Sequence, residues 1–282
     1  MSRTAFLFPG QGSQTPDSAP LVRKAVPGLF DLAIGLLGED PFPRCSESTR
    51  FAQPAIVLAS LAAWSGQDPE PSDVAAFAGH SLGELSALAA SGALAHEDAV
   101  RLAVVRGELM AQAAERAGDG AMLAVLKGGL ADAERLAADH DLTVANDNAP
   151  GQVVLAGPRA GIETARRGAR ELGLRAMELD VAGAFHSPSM ETARIAFADE
   201  LAQVTWHEPA APVYSSLTAA PFVEPARELA TAIVSPVRWR EVMLALAADG
   251  IERFVDLGPG EVLARLVNRN LEGARDVVAA SA

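Results

Sequence analysis

Gly79-His80-Ser81-Leu82-Gly83 sets a serine midway between two glycines. The apolar run Val74-Ala75-Ala76-Phe77-Ala78 precedes it, and the helix-forming run Glu84 to Ala90 follows. That order is strand, sharp turn, helix, with a hydroxyl at the apex. Small residues two before and two after the serine let the backbone turn without a Cβ clash. The turn lifts the hydroxyl into the open and points the amide dipoles of the next helix at it. The same five-residue string also occurs as a plain turn; the strand–helix setting favours a nucleophile attacking a carbonyl. Serine at its free pKa is a poor nucleophile, so a base must stand beside it.

Five histidines could supply that base. His80 adjoins the serine on the turn, so its ring should point elsewhere. His96 sits at a predicted helix start, where capping or exposure accounts for it. His140 and His207 lie in polar loop contexts. His186 remains, in Val181-Ala-Gly-Ala-Phe-His-Ser-Pro188. It stands where a small unit hands the chain back to a larger one, and a cleft between two units is where a substrate site is expected.

The elements that must position these groups alternate along the chain. A first strand over 3–8 ends at Pro9-Gly10-Gln11-Gly12-Ser13-Gln14, a glycine-rich turn without the spacing of a nucleotide loop. A helix over 19–35 is interrupted by Pro20 and Pro27, and Gln53-Pro54 opens a helix over 55–64. Val100, Val104 and Met110 give 96–116 a helical apolar period. Residues 121–181 then read strand, helix, strand, strand, helix, strand, with Asn146 to Gly151 as the loop between the middle strands. That is a ferredoxin-like βαββαβ pattern with both helices on one face. Beyond it, helices and strands alternate again to a final helix over 262–270, and the last ten residues read as frayed. The fold class predicted is α/β: a parallel sheet covered on both sides, assigned to residues 1–118 and 187–282, carrying the small ferredoxin-like unit at 119–186.

The bulk numbers exclude several functions. A formal net charge of −13 over 282 residues repels nucleic acid and anionic membrane surfaces. No apolar run approaches the ~18 residues that span a bilayer, and the N-terminus lacks a secretory core. The single cysteine, Cys45, excludes an internal disulfide framework and a cysteine metal cluster, and it fits a cytoplasmic location. No metal is called for.

The chain resembles the malonyl-CoA:acyl-carrier-protein acyltransferase family, which includes free-standing enzymes of fatty-acid synthesis and acyltransferases of polyketide synthases. The resemblance rests on Gly10-Gln11-Gly12-Ser13-Gln14, Gln53-Pro54-Ala55, Gly79 to Glu84, Arg106-Gly107-Glu-Leu-Met110, Asn148-Ala-Pro-Gly-Gln-Val-Val154, Ala184-Phe-His-Ser-Pro188, Pro236-Val-Arg-Trp239 and Gly258-Pro-Gly260. These run in family order over almost the whole chain. The family fold is a hydrolase-like α/β core with a ferredoxin-like insert. The resemblance implies that Ser81 attacks an acyl-CoA thioester, that His186 takes and returns the proton, and that the backbone N–H groups of Gln11 and Leu82 hold the oxyanion. It implies that Arg106 clamps a malonyl carboxylate, for which a planar guanidinium is suited. Phe185 would leave no room for an α-methyl group. No cofactor is implied, since the phosphopantetheine belongs to the acyl carrier protein that receives the cargo.

The departures from the family pattern are specific. Thr15-Pro-Asp-Ser-Ala-Pro20 replaces a Gly-Met-Gly segment, and Leu85 stands where an aromatic is common. Ala232 replaces a glutamine whose main-chain carbonyl orients the histidine, a role alanine can fill. Gly183 replaces a histidine and is expected to open space beside Phe185. Carrier proteins are acidic, so attraction needs a local basic face; Arg159, Arg166, Arg167, Arg170 and Arg175 gather around the second helix of the small unit. The alternatives are a serine thioesterase or hydrolase on the same core, a subunit of a malonate-decarboxylation system, or a binding module that has lost activity. Hydrolases of that core place their histidine after the last strand, and no histidine follows His207 here.

Overall fold

The computed structural model describes residues 3–70, 72–271 and 276–280. Its strands, in chain order, are β1 (Thr4–Phe8), β2 (Val74–Gly79), β3 (Gly120–Leu126), β4 (Thr143–Ala149), β5 (Gln152–Pro158), β6 (Arg175–Glu178), β7 (Val213–Tyr214), β8 (Arg253–Asp256) and β9 (Asp276–Ala279). Five of them form a parallel sheet in the order β7-β2-β1-β8-β9. Side chains alternate across β1: Phe6 and Phe8 enter one core, Ala5 and Leu7 the other. The first core is shared with the helices Thr49–Ser65, Gly83–Ala90 and His96–Ala117; the second with Trp239–Ala248 and Val262–Asn270. Both faces are thus covered, as a parallel sheet requires.

The other four strands pair antiparallel in the order β4-β5-β3-β6, the strand order of a ferredoxin-like sheet. All four come from within residues 119–186, and the parallel sheet draws none from there. Ala121, Leu123 and Val125 pack on the helices Leu130–Asp139 and Arg159–Glu171, while Met122 and Ala124 turn to the opposite face and join the large core. Both helices therefore lie on one face. A parallel bridge between Asn146 and Val237 fastens the two units, with Asp147 N–H donating to the Val237 carbonyl and Val237 N–H to that of Ala145.

Three expectations change. The segment Asn146 to Ala149 is strand rather than loop, and only Pro150-Gly151 turns, with Gly151 at φ +70°. Its backbone pairs with β5 on one side and meets Val237 on the other, and its polar residues are buried. The helix expected from residue 55 begins at Thr49, where the Ser48 hydroxyl accepts from Arg50 N–H, and Pro54 lies inside it. Residues 276–279, expected to fray, are β9, paired in parallel with β8. No described helix is long and apolar enough to cross a membrane.

Candidate active site

β2 ends at Gly79 against the end of β1, and His80 N–H donates to the Phe8 carbonyl. A Cβ at Gly79 would stand 2.0 Å from the Gly83 carbonyl carbon, and one at Gly83 would stand 2.0 Å from the Phe8 oxygen. Only glycine allows the turn to fold this tightly between strand and helix. Ser81 takes the left-handed conformation, φ 53°, which a non-glycine residue adopts at a cost and which marks functional turns.

His186 also has φ 58° and is 6% exposed. Its Nε2 lies 2.8 Å from Ser81 Oγ, although 105 positions separate the residues in the chain. Its Nδ1 lies 2.8 Å from the Ala232 carbonyl and 3.1 Å from that of Ser235. Both carbonyls can only accept, so Nδ1 carries the proton and Nε2 turns its lone pair to the serine. Burial, and then the charge of Arg106, push the ring down to about 4, so it is unprotonated at neutral pH.

Arg106 projects from the helix His96–Ala117 and is 5% exposed. Its Nη2 donates to Ser81 Oγ at 3.1 Å and its Nη1 to Gln53 Oε1 at 2.8 Å. Gln53 Nε2 donates in turn to Thr49 Oγ1, and Thr49 Oγ1 to Gln11 Oε1, at 2.9 and 2.8 Å. Among the described residues no carboxylate lies within ion-pair distance of Arg106. Burial lowers its pKa to about 10, and the field of Glu84 opposes the shift. Glu84 itself accepts from Ser216 N–H at 2.7 Å and Ser216 Oγ at 2.9 Å; burial raises it to about 7.

A cavity of ≈ 360 Å³ opens over these groups, and Gln11, Leu82, Met110, Met122, Phe185 and Leu263 are among its walls. The backbone N–H groups of Gln11 and Leu82 donate to no other group of the described residues. The structure thus brings Ser81, His186, Arg106, Gln11, Leu82 and Phe185 around one cavity.

The acyl transferase domain family matches residues 36–282. The chain belongs to that family. It is 39% identical over 285 residues to the polyketide biosynthesis protein ThaF of Burkholderia thailandensis, covering 96% of this chain and 24% of that protein's length. It is 38% identical to the malonyl CoA-acyl carrier protein transacylase of Bacillus subtilis, covering 95% of this chain and 90% of that one. The crystal structure of acyl-carrier-protein-S-malonyltransferase from Bartonella henselae superposes with a TM-score of 0.89 at 30% identity, over 99% and 96% of the two chains.

In this acyl transferase the histidine is oriented by the Ala232 main chain, as the resemblance implied. Gly183 opens no space: a Cβ there would meet the Ala114 Cβ at 2.6 Å, so the helix His96–Ala117 already fills it. The helix Arg159–Glu171 covers the face of the small sheet turned away from the cavity, so Arg166, Arg167 and Arg170 are exposed on an outer layer. Arg159 is tied to Asp119 and Glu178. His80 rests on Trp239 and bonds Asn148 Oδ1 at 2.7 Å through Nε2. Thr49, Gln53 and Asn148 were not among the expected site residues; only the Gln-Pro-Ala and Asn-Ala-Pro-Gly motifs pointed at two of them. Among the described residues no cluster of histidine, cysteine and carboxylate side chains could hold a metal.

Proposed function

We propose that this chain moves a malonyl group from coenzyme A to the phosphopantetheine thiol of an acyl carrier protein through an ester on Ser81. The observation that carries the reading is the Ser81 oxygen held between a neutral imidazole nitrogen and a buried guanidinium that makes no ion pair among the described residues. His186 Nε2 takes the hydroxyl proton as Oγ bonds to the thioester carbon. The N–H groups of Gln11 and Leu82 receive the negative oxygen, and each such donor is worth ~10²–10³ in rate. Collapse breaks the carbon–sulfur bond, and Nε2 returns the proton to the departing thiolate. The carrier thiol then repeats the sequence in reverse on the ester.

In a malonyl group the free carboxylate stands two bonds from the acyl carbon. Arg106, 3.1 Å from the nucleophile, is within reach of it. A general esterase or thioesterase has no use for that charge. Phe185, buried against the cavity, favours malonyl over α-branched groups. An acidic carrier partner and a cytoplasmic setting, where coenzyme A and reduced Cys45 coexist, complete the reading.

Incubation with malonyl-, methylmalonyl- or acetyl-CoA, followed by intact mass spectrometry, tests it. One malonyl ester on Ser81, absent from Ser81→Ala, is expected. Arg106→Ala should cut malonyl loading by ~10²-fold or more, as for a lost charge-assisted contact, and acetyl loading far less. Equal losses on both substrates would refute the clamp.

A further inference from the structure

Many surface arginines of this acidic chain are matched by carboxylates, from Arg23 with Asp40 to Arg253 with Asp276, while others, such as Arg166, Arg167 and Arg170 on the outer helix, are not. Three cations beside the mouth of the cavity also form no ion pair among the described residues. Val262 lines the cavity and is still 37% exposed, which puts it at the mouth. Arg265 and Arg269 follow on the same helix, and Arg269 reaches across to the β4–β5 turn. Its Nη1 donates to Gln152 Oε1, and its Nη2 to the carbonyls of Pro150 at 3.2 Å and Gly151 at 3.3 Å. Those acceptors are neutral, so they fix the guanidinium without cancelling its charge.

Lys127 lies on the other side of the same turn. The Cβ position at Gly151 is 3.5 Å from Lys127 Cα and 3.9 Å from Arg269 Nη2. Lys127 is held at φ 73° by donating its N–H to the Gly151 carbonyl. Such a conformation costs a lysine some backbone energy, which that hydrogen bond offsets. Acidic groups near this mouth include Glu261, Asp180 and Asp132, whose Oδ2 accepts from Gly129 N–H at 3.0 Å; none of them forms an ion pair with any of the three among the described residues.

The separation from the reacting centre is informative. β3 begins against the His186 loop, where a Cβ on Gly120 would stand 2.8 Å from Ala184 N. It ends at Leu126, beside Lys127, and at ~3.3 Å per residue the lysine lies roughly 23 Å along. The pantetheine arm shared by coenzyme A and carrier proteins runs about thirteen bonds from sulfur to phosphorus, roughly 15 Å extended. A lysine or arginine side chain spans the remainder.

We propose that Lys127, Arg265 and Arg269 form an anion site that holds the phosphate ester at the far end of a pantetheine thioester while its sulfur lies over Ser81. The inference rests on the transfer reading above and adds to it a determinant outside the catalytic groups. Guanidinium and phosphate match through paired N–H bonds, and a lysine adds a point charge.

The test is the double variant Lys127→Gln/Arg265→Gln, which spares the bonds of Arg269 to the turn. One arm compares loading from malonyl-CoA with loading from malonyl-pantetheine, which has no phosphate. The other compares discharge of the loaded enzyme onto a carrier protein and onto free pantetheine. The phosphorylated-to-unphosphorylated ratio of kcat/KM should fall roughly five- to thirtyfold. A fall in both arms assigns the site to the shared arm phosphate, and a fall with malonyl-CoA alone to the nucleotide phosphates. The Kd for free coenzyme A by calorimetry should rise by a similar factor. That measurement needs no acyl chemistry, so weakened binding without any Ser81 ester would retain this site and sink the transfer reading. Ratios within twofold of the parent in both arms, with an unchanged Kd, would overturn the site.

Discussion

The pairing of Arg106 with His186 through one serine oxygen makes a quantitative prediction about pH. The two hydrogen bonds, 3.1 and 2.8 Å, meet at Ser81 Oγ, so the charge and the ring nitrogen are at most ~6 Å apart. At an effective dielectric of about 20, a unit charge at that distance is worth about 2–3 kcal/mol, or about two pH units. Burial lowers the imidazole first and Arg106 second, together to about 4. A neighbouring cation disfavours imidazolium, so its removal must raise the pKa. Arg106→Gln should therefore move the acid limb of Ser81 loading from about 4 upwards by roughly one to two units. Acetyl-CoA is the substrate to use, because it makes no demand on the clamp. The assay is single-turnover acylation after a pH jump, quenched on the millisecond scale, so that acid exposure stays brief. A second expectation follows for the parent protein. In the proposed complex a malonyl carboxylate would neutralise Arg106, so the acid limb of kcat, which reports the complex, should lie above that of kcat/KM, which reports the free enzyme. With acetyl-CoA the two limbs should coincide. An acid limb unmoved by Arg106→Gln would refute the electrostatic coupling.

Two further substitutions probe the surroundings of the site. Glu84 has its folded pKa raised to about 7 from 4.5, chiefly by burial. The protonated carboxyl is then the form favoured by folding, and its contribution is lost as pH rises from 4.5 through 7. Glu84→Gln should gain on the parent in denaturant stability across that window by up to about 3 kcal/mol; a pH-independent difference would contradict the shift. Gly183→Ala should destabilise by ~1–3 kcal/mol through overpacking on Ala114. Ala114→Gly should restore part of that loss, and strict additivity of the two in a double-mutant cycle would show that they do not compete for the same space.

What the sequence disclosed and what it hid differ in physical kind. The Ser81 turn was legible because its constraint is local: two glycines, a strand before and a helix after. His186 emerged because few histidines compete for the role. The segment Asn146–Ala149 misled because asparagine, aspartate, proline and glycine ordinarily make loops; it is strand because it pairs with β5 across the Pro150-Gly151 turn, and its other edge is met by Val237, about ninety residues away. β9 was invisible for the same reason, since a four-residue strand is specified by its pairing with β8 rather than by its own composition. Pro54 suggested a helix start, whereas the Ser48 cap sets the start at Thr49, more than a turn earlier. The hydrogen-bond chain from Gln11 through Thr49 and Gln53 to Arg106 exists only because the helices Thr49–Ser65 and His96–Ala117 pack together.

In the proposed transfer, that chain would let one arginine serve both selection and chemistry. A buried guanidinium without a carboxylate is costly, and its five donors need acceptors. Gln53 supplies one, fixed from behind by Thr49, and Ser81 Oγ supplies another. Glu84 steadies the charge through its field and makes its own bonds to Ser216 instead of to Arg106. A carboxylate paired directly with Arg106 would cancel the attraction for an incoming malonate. An arginine with no stabilising field at all would be hard to keep charged at this depth. The arrangement between those limits leaves one strong anion demand unsatisfied inside the cavity, beside the nucleophile. In the proposed transfer the substrate's own carboxylate would answer that demand, and in doing so would lift from the imidazole the positive charge that holds its basicity down.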